Sequence, residues 1–177
     1  YVLLAGALWR ARGKRIGLWY VHGTVSLRLR LAIFLADIVF TASSESCRVH
    51  SAKVQVVSHG IDRDFFSPDA NVSRELYLLS VGRLATTKRH ELAIAAALRA
   101  NRPLHIVGEG PERTALEDYA RRVGATVVFL GGRTQGELRD EYRKAYCLIH
   151  GSETGSMDKV VLEALATGLP VITTSNV

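Results

Sequence analysis

The stretch VGRLATTK, residues 81–88, has the residue types and spacing of a loop that binds phosphate. It joins a predicted strand to a predicted helix, and Gly82 lets the backbone approach a ligand closely. Arg83 can hold a phosphate through two parallel hydrogen bonds, and Lys88 places a charge beside the exposed N–H groups of the helix start. The stretch therefore suits a diphosphate, and the alternative is a surface loop with two ordinary basic residues.

The segment GSETGSMDKVVLEALATGLPVITT, residues 151–174, predicts a loop, a helix and a strand in succession. An apolar run spaced for a helix follows small polar residues, and the Thr-Gly-Leu-Pro sequence at 167–170 ends that helix. Glu163 is a single acid within this apolar helix, close in sequence to a glycine-containing loop. It is either a carboxylate that binds a ligand or a solvated helix position.

Three of the six histidines lie where a predicted strand passes into a loop beside a glycine, namely His22, His59 and His150. A side chain at such an exit can point into a ligand cleft, and a structural role is the alternative for each. The sequence VGEGP at 107–111 also follows a predicted strand. It lacks the third glycine of the dinucleotide fingerprint, so we interpret it as a turn that lines the cleft.

Alternating helix and strand patterns predict α/β architecture with doubly wound parallel sheets. The first part has the order helix 1–13, strand 15–20, helix 26–36, strand 38–42, a short helix from Ser43 or Ser44 through His50, and strand 53–57. From residue 75 the pattern restarts with strand 75–81, helix 88–99, strand 103–107, helix 111–123, strand 125–130, helix 135–144 and strand 146–149.

The turn-forming sequence SPDANVS at 67–73 predicts a domain boundary. We expect a first domain at 1–68, a linker at 69–74 and a second domain at 75–177, with a small-molecule cleft between the two domains. The chain begins inside a helical pattern and ends directly after a strand, so we expect a fragment that is cut at both ends.

The composition is that of a globular protein with a mild basic excess, at 47% hydrophobic residues and a net charge of +6. Such a charge suits anionic small molecules or an anionic membrane surface, but the Lys/Arg runs with interleaved aromatics that nucleic acid requires are missing, so we expect no nucleic-acid partner. The two cysteines have no paired spacing, which favours a reducing, cytoplasmic setting.

Several motifs together resemble the family-4 retaining glycosyltransferases, which belong to glycosyl transferases group 1 and have the GT-B fold. They occur in family order as HGIDRDFFSP, LLSVGRLATTKRHELAIAA, LHIVGEGPER, VVFLGG followed by ELRDEY, and SETGSMDKVVLEALATGLPVITT. The LWYVHG sequence resembles the last third of the acceptor domain. The resemblance implies two Rossmann-like domains facing across a cleft, both incomplete, with most of the N-terminal domain and the C-terminal end missing.

The resemblance also implies that a hexose is transferred from a nucleotide-diphosphate sugar to an acceptor, with retention at the anomeric carbon and with neither a metal nor another cofactor. Gly82, Arg83 and Lys88 would bind the donor diphosphate, Glu163 the ribose hydroxyls, and His22 would act as the catalytic residue at the sugar. The implied loop for the donor sugar and phosphates comprises Ser152, Glu153, Thr154, Gly155, Ser156 and Asp158.

The motif around Glu163 departs from the family pattern at one position. Families of this kind usually have two glutamates eight positions apart, and Gly155 occupies the place of the first one. Glu153 or Asp158 would have to replace it, which leaves the identity of the donor sugar open.

The implied acceptor is a sugar, a glycan or a lipid-linked molecule. The basic amphipathic pattern at 27–35 allows a peripheral contact with the inner face of a membrane, and a solvated helix face is the alternative. Two other functions are weighed against the glycosyltransferase: an NAD(P)-dependent oxidoreductase on the same kind of sheet, and a nucleotide-binding fragment without catalysis.

Overall fold

The computed structural model describes residues 2–152 and 158–174. They divide into two compact units, the first of residues 2–60 and the second of residues 61–152 and 158–174. Among the described helices, none combines the length and apolarity needed to cross a bilayer.

The first unit is a small parallel sheet with helices. Its elements are α1 (Val2–Ala11), β1 (Gly17–Trp19), α2 (Leu27–Leu35), β2 (Ile38–Thr41) and β3 (Val54–Val56), and the strand order is β1-β2-β3. Ser26 caps α2, since its side chain accepts a hydrogen bond from the Leu29 N–H at 3.1 Å. The core of the unit consists of Ile16, Leu29, Ile33, Ala36, Val39 and Cys47.

The prediction of a short helix from Ser43 or Ser44 through His50 is wrong. The backbone there makes a single turn, in which the Ser46 N–H donates to the Ser43 carbonyl at 3.2 Å and to the Ser43 hydroxyl, also at 3.2 Å. Serine side chains compete with the helix for backbone N–H groups in this way. Cys47 is then buried in the core, and the chain continues without helix towards β3.

The second unit is a five-stranded parallel sheet flanked by helices. Its strands are β4 (Leu78–Val81), β5 (Leu104–Val107), β6 (Val127–Gly131), β7 (Cys147–His150) and β8 (Val171–Thr173). Its helices are α3 (His90–Ala100), α4 (Arg113–Val123), α5 (Gln135–Lys144) and α6 (Lys159–Ala166), and a short 3₁₀ turn, Thr86–Lys88, precedes α3.

The strand order of the second sheet is β6-β5-β4-β7-β8, with all neighbours parallel. The chain proceeds from β4 through β5 to β6 in one direction and then crosses to β7 on the other side of β4. The order therefore reverses between β4 and β7, and ligands of open α/β sheets bind at such a point. The predicted α/β class with doubly wound parallel sheets is confirmed.

Both faces of the second sheet are packed. Leu78 belongs to a buried cluster with residues of α3 and α4, whereas Leu79 belongs to another with residues of α5 and α6. Adjacent residues of β4 point to opposite faces, as the period of a strand requires. The sheet therefore holds the loops at its carboxyl edge on a rigid frame.

Residues 61–74, which the sequence assigns to the end of the first domain and the linker, pack in the second unit. Phe66 is 3% exposed and shares a core cluster with Tyr142. The Arg74 guanidinium donates to the Ala145 carbonyl at 2.9 Å and to the Gly168 carbonyl at 2.8 Å. A buried aromatic ring and two charge-assisted hydrogen bonds fix this segment to the sheet and its helices.

Candidate functional site

The predicted phosphate-binding residues lie at the carboxyl ends of β4 and β7, where the strand order reverses. Gly82 and Arg83 follow β4 directly, and Ser152 follows β7 by two residues. Asp158 immediately precedes α6. The sheet thus brings loops that are about seventy residues apart in sequence to one edge, which is the position expected for a ligand site.

The loop after β4 is held by the glycine-containing loop after β5. The Gly82 N–H donates to the Val107 carbonyl at 3.0 Å, and the Leu84 N–H donates to the Glu109 carbonyl at 2.9 Å. A Cβ atom on Gly108 would lie 1.9 Å from the Gly82 carbonyl oxygen, and one on Gly110 would lie 2.2 Å from that of Leu84. Both glycines are therefore needed for close contact between two backbones.

His90 fixes the same loop from inside the unit. Its Nδ1 lies 2.9 Å from the Ser80 hydroxyl and its Nε2 lies 3.3 Å from the Arg83 carbonyl oxygen. Burial lowers the pKa of His90, and the contact with the Arg83 carbonyl only partly opposes this effect. His90 is therefore a buried residue that positions the backbone of Arg83.

Arg89, between the 3₁₀ turn and α3, has left-handed backbone dihedrals, with φ 50° and ψ 45°. A residue other than glycine adopts this conformation at some cost in energy. It joins the 3₁₀ turn to α3, which begins at His90, and both Lys88 and His90 lie close to Gly82 at the carboxyl end of β4. A Cβ atom on Gly151 would lie 3.0 Å from the Arg89 carbonyl oxygen, which shows how closely the loop after β7 approaches.

Lys88 is bound to the loops on the other side of the site. Its Nζ donates to the Asp158 carboxylate and, at 3.3 Å, to the Ser152 hydroxyl. The same Asp158 oxygen lies 3.0 Å from His150 Nε2, a contact that is an ion pair when the imidazole is protonated. Among the described residues His150 Nε2 has no partner with hydrogen-bond geometry, so its contact with Asp158 is electrostatic.

The surroundings of Asp158 keep its carboxylate ionised. Burial is the largest single effect and opposes ionisation, but the contacts with His150 and Lys88 together outweigh it. The pKa of Asp158 is therefore held well below its usual range. Lys88 and Asp158 therefore form an ion pair at this edge of the sheet.

Asp158 occupies the N-cap position of α6 without capping the helix. Its backbone is extended, and no hydrogen bond from its carboxylate to the α6 backbone occurs in the described part of the chain. An aspartate at this position ordinarily accepts a bond from the first helical turn. Since the carboxylate turns to Lys88 and His150 instead, it leaves the first N–H groups of α6 to other acceptors.

Glu163 is buried in α6 and is not a solvated helix position. Its side chain is 7% exposed, and its two oxygens have different partners. Tyr142 donates its hydroxyl hydrogen to Oε2 at 3.2 Å, and Lys159 Nζ lies 3.5 Å from Oε1. Burial, together with the charge of Glu163, raises the pKa of Tyr142, so the hydroxyl stays protonated as a donor. Sequence reasoning missed Tyr142, because only folding brings α5 to α6.

Arg83 differs from Lys88 in that its side chain is exposed. Among residues 2–152 and 158–174 its guanidinium has no hydrogen bond or ion pair. The strand end therefore presents a positive charge that no residue in the described part of the chain neutralises.

His22 lies in the first unit, in the loop after β1, and its side chain is exposed. Its ring packs edge-on against that of Tyr20, with 5.7 Å between ring centroids. Four predicted site residues lie outside the described residues: Glu153, Thr154, Gly155 and Ser156. Within the described ranges, no three His, Cys, Asp or Glu side chains are grouped so as to hold a metal ion.

Sequence comparison identifies a family for the second unit. The family model described as Glycosyl transferases group 1 matches residues 62–177. A GDP-mannose-dependent alpha-mannosyltransferase from Mycobacterium tuberculosis is 40% identical over 96 residues, which cover 52% of this chain and 23% of that protein. D-inositol 3-phosphate glycosyltransferase 2 from Catenulispora acidiphila is 35% identical over 159 residues, which cover 73% of this chain and 37% of that protein. The chain thus spans well under half the length of either relative.

Solved structures with the same fold include Anabaena Alr3699/HepE in complex with UDP. That structure matches 97% of this chain and 56% of its own, with a TM-score of 0.81 and 18% sequence identity. At this identity the likeness shows the fold alone, and it confirms the predicted GT-B type.

Proposed function

Because the chain belongs to the glycosyl transferases group 1 family, we propose that it transfers a hexose from a nucleotide-diphosphate sugar to an acceptor. The observation that carries this proposal is the exposed Arg83 side chain after β4, at the same carboxyl edge of the sheet as Lys88 and the loop that leads to α6. Two cations and a helix N-terminus at the point where the strand order reverses form a site for a diphosphate.

In this proposal Arg83 and Lys88 bind the donor diphosphate, and Gly82 leaves room for it. Negative charge grows on the diphosphate as the glycosidic bond breaks, and the two side chains offset that charge without a metal ion or another cofactor. The reaction retains the configuration at the anomeric carbon.

Glu163 accepts hydrogen bonds from the ribose hydroxyls of the donor. A carboxylate has about four lone-pair sites, so the bonds from Tyr142 and Lys159 leave acceptor capacity on both oxygens. Tyr142 is packed in the core and holds the carboxylate in one orientation. A fixed carboxylate loses little freedom when it binds a diol, which favours affinity.

His22 contributes the catalytic side chain at the sugar, and the loop that contains Ser152, Thr154, Gly155 and Ser156 approaches the sugar and phosphates. Asp158 is engaged by Lys88 and His150, so we assign it to the diphosphate end of the site. That assignment favours Glu153 as the acid that contacts the donor sugar.

The acceptor is a sugar, a glycan or a lipid-linked molecule, and the protein works in the cytoplasm. The names of the relatives suggest the donors to test first, since one is GDP-mannose-dependent and a neighbour in fold was solved with UDP.

The NAD(P)-dependent alternative is less compatible with the loop after β5. In that class a glycine-rich loop gives its backbone to a pyrophosphate. Here the space next to Gly108 and Gly110 is filled by the carbonyl groups of Gly82 and Leu84. At these two glycines the close backbone approach therefore serves packing against the loop after β4, where a dinucleotide-binding loop would approach a pyrophosphate.

Calorimetry with UDP, GDP, ADP and NAD tests the proposal. We expect one of the diphosphates to bind, and Arg83→Ala to weaken that binding at least tenfold, or about 1.4 kcal/mol, since a charged contact to phosphate is lost. Arg121→Ala is the matched control, because its side chain is 76% exposed on α4 and its ion pair among the described residues is with Asp118. Binding of NAD with no response to any diphosphate would overturn the proposal. A diphosphate affinity that Arg83→Ala leaves unchanged would remove Arg83 from the site.

A further inference from the structure

Helix α2 carries apolar side chains on two opposite faces. One face packs into the core of the first unit through Leu29, Ala32 and Ile33. The other face consists of Leu27, Leu31 and Phe34, which are 85%, 52% and 70% exposed. Successive residues turn by about 100° around a helix axis, so the second set forms a stripe that lies directly opposite the buried face.

Two arginines border this stripe, one on each side. Arg28 and Arg30 lie about 100° and 60° around the helix from Leu27, in opposite directions. Both are exposed, and neither makes a hydrogen bond or ion pair with another described residue. Their aliphatic stems can lie along an apolar layer while the guanidinium groups remain in a polar one.

The charge around α2 is positive and largely uncompensated. Residues 1–60 contain eight basic residues and two acids, Asp37 and Glu45. The Asp37 carboxylate accepts a hydrogen bond from the Ile16 N–H at 2.7 Å and lies 3.9 Å from the Arg10 guanidinium. Among the described residues its charge is therefore paired with Arg10 and not with the arginines of α2. The surface next to the stripe therefore attracts anions.

The end of α2 is held in place by side chains of the same unit. Lys53 Nζ donates to the Ala36 carbonyl at 2.7 Å and to the Phe34 carbonyl at 3.0 Å. The stripe is thus presented by a helix that is capped at both ends, and it needs no folding step before it binds a partner.

From this arrangement we propose that α2 docks the protein on an anionic lipid bilayer. Leu27, Leu31 and Phe34 enter the boundary between head groups and acyl chains, and Arg28 and Arg30 contact lipid phosphates. An interfacial helix has this combination of an apolar face and flanking basic residues. A second copy of the chain fits the surface less well, because α2 has no acid and would set arginine against arginine.

Flotation of the protein with lipid vesicles tests the proposal. We expect binding to vesicles that contain phosphatidylglycerol, weaker binding to pure phosphatidylcholine, and a loss of affinity as salt is raised, because salt screens the arginines. The double variant R28Q/R30Q should lose about thirtyfold in affinity for the anionic vesicles. The control R121Q/R122Q removes the same charge from α4 and should retain binding.

The apolar stripe is tested separately with the variant L31S/F34S. The control is L98S/V128S, because Leu98 and Val128 are each 43% exposed and lie in the second unit. L31S/F34S should abolish flotation while the melting temperature stays close to that of the wild type, since the stripe is exposed. Equal loss in either control pair, or no loss in L31S/F34S, would overturn the proposal. The proposal would also be overturned if light scattering showed a dimer that L31S/F34S converts to a monomer while flotation stays unchanged.

Discussion

Asp158 places a negative charge beside Lys88, the lysine that we propose to bind the donor diphosphate. Its carboxylate bonds to Lys88 Nζ and stays ionised in the folded protein. A diphosphate that binds Lys88 must compete with this carboxylate and is repelled by it. We therefore expect Asp158→Asn to bind UDP or GDP threefold to tenfold more tightly, or by about 0.7–1.4 kcal/mol, as measured by calorimetry.

Asp140→Asn is the control for this substitution, because Asp140 lies on α5 and its side chain is 53% exposed. Weaker binding of the free diphosphate by Asp158→Asn would show instead that Asp158 positions Lys88 for the ligand. If only the nucleotide sugar binds more weakly, Asp158 contacts the sugar and takes the role that we assign to Glu153.

The single residues of the site could be predicted from their positions after strands, but their partners could not. Lys88 was expected to hold a phosphate, and nothing in the sequence indicates that Asp158, 70 residues later, neutralises it. Likewise Glu163 stands out as an acid in an apolar helix, whereas its bond to Tyr142 depends on the packing of α5 against α6. Such pairs form only when the sheet brings distant loops and helices together.

At the level of elements, the loop after β5 braces the loop that carries Arg83. Gly108 has a positive φ of 138°, and a Cβ atom there would meet the Gly82 carbonyl oxygen at 1.9 Å. We expect Gly108→Ala to lower the free energy of unfolding by about 2–5 kcal/mol, from backbone strain and overpacking together. Denaturant titration measures this loss. The affinity for a diphosphate should fall as well, because the loop that carries Arg83 must move.

Gly136→Ala provides the matched control for Gly108→Ala. Gly136 lies in the first turn of α5, and a Cβ atom there meets nothing within 4 Å. Alanine in a helix is favoured over glycine, so this variant should be as stable as the wild type or up to about 1 kcal/mol more stable. Similar losses in both variants would contradict a bracing role for Gly108.

The sequence predicts elements well where several local signals agree. Helix α5 was expected at 135–144 and lies there, because Thr134 and Glu137 form a capping box at its start. The predicted helix from Ser43 or Ser44 had only a serine cap and no apolar period to support it. Without a packed face, the serine side chain takes the backbone N–H group and a turn results.

At the scale of the whole molecule, the two units have separate cores, and residues 61–74 pack with the second. The linker at 69–74 was predicted from turn-forming composition, which is a local property. Composition does not reveal that Phe66, just before the predicted linker, is buried in the same cluster as residues of α5 and α6. Where a segment of this kind packs is decided by tertiary contacts with α5 and with the loop after α6.

Phe66→Ala tests this assignment in the complete chain, because its effect should be confined to the second unit. Phe66 is 3% exposed in the cluster that contains Leu79 and Tyr142, and truncation of a buried phenylalanine costs about 3–5 kcal/mol. Both tryptophans, Trp9 and Trp19, belong to the first unit. Their fluorescence reports unfolding of that unit, whereas far-ultraviolet circular dichroism reports both.

In a denaturant titration, Phe66→Ala should therefore shift the circular dichroism transition to lower denaturant and leave the fluorescence transition in place. Phe34→Ala, at a side chain that is 70% exposed in the first unit, is the control and should shift neither. If Phe66→Ala shifts both transitions equally, the two units unfold as one. If it shifts only the fluorescence transition, residues 61–74 stabilise the first unit, and the boundary lies at the predicted linker after all.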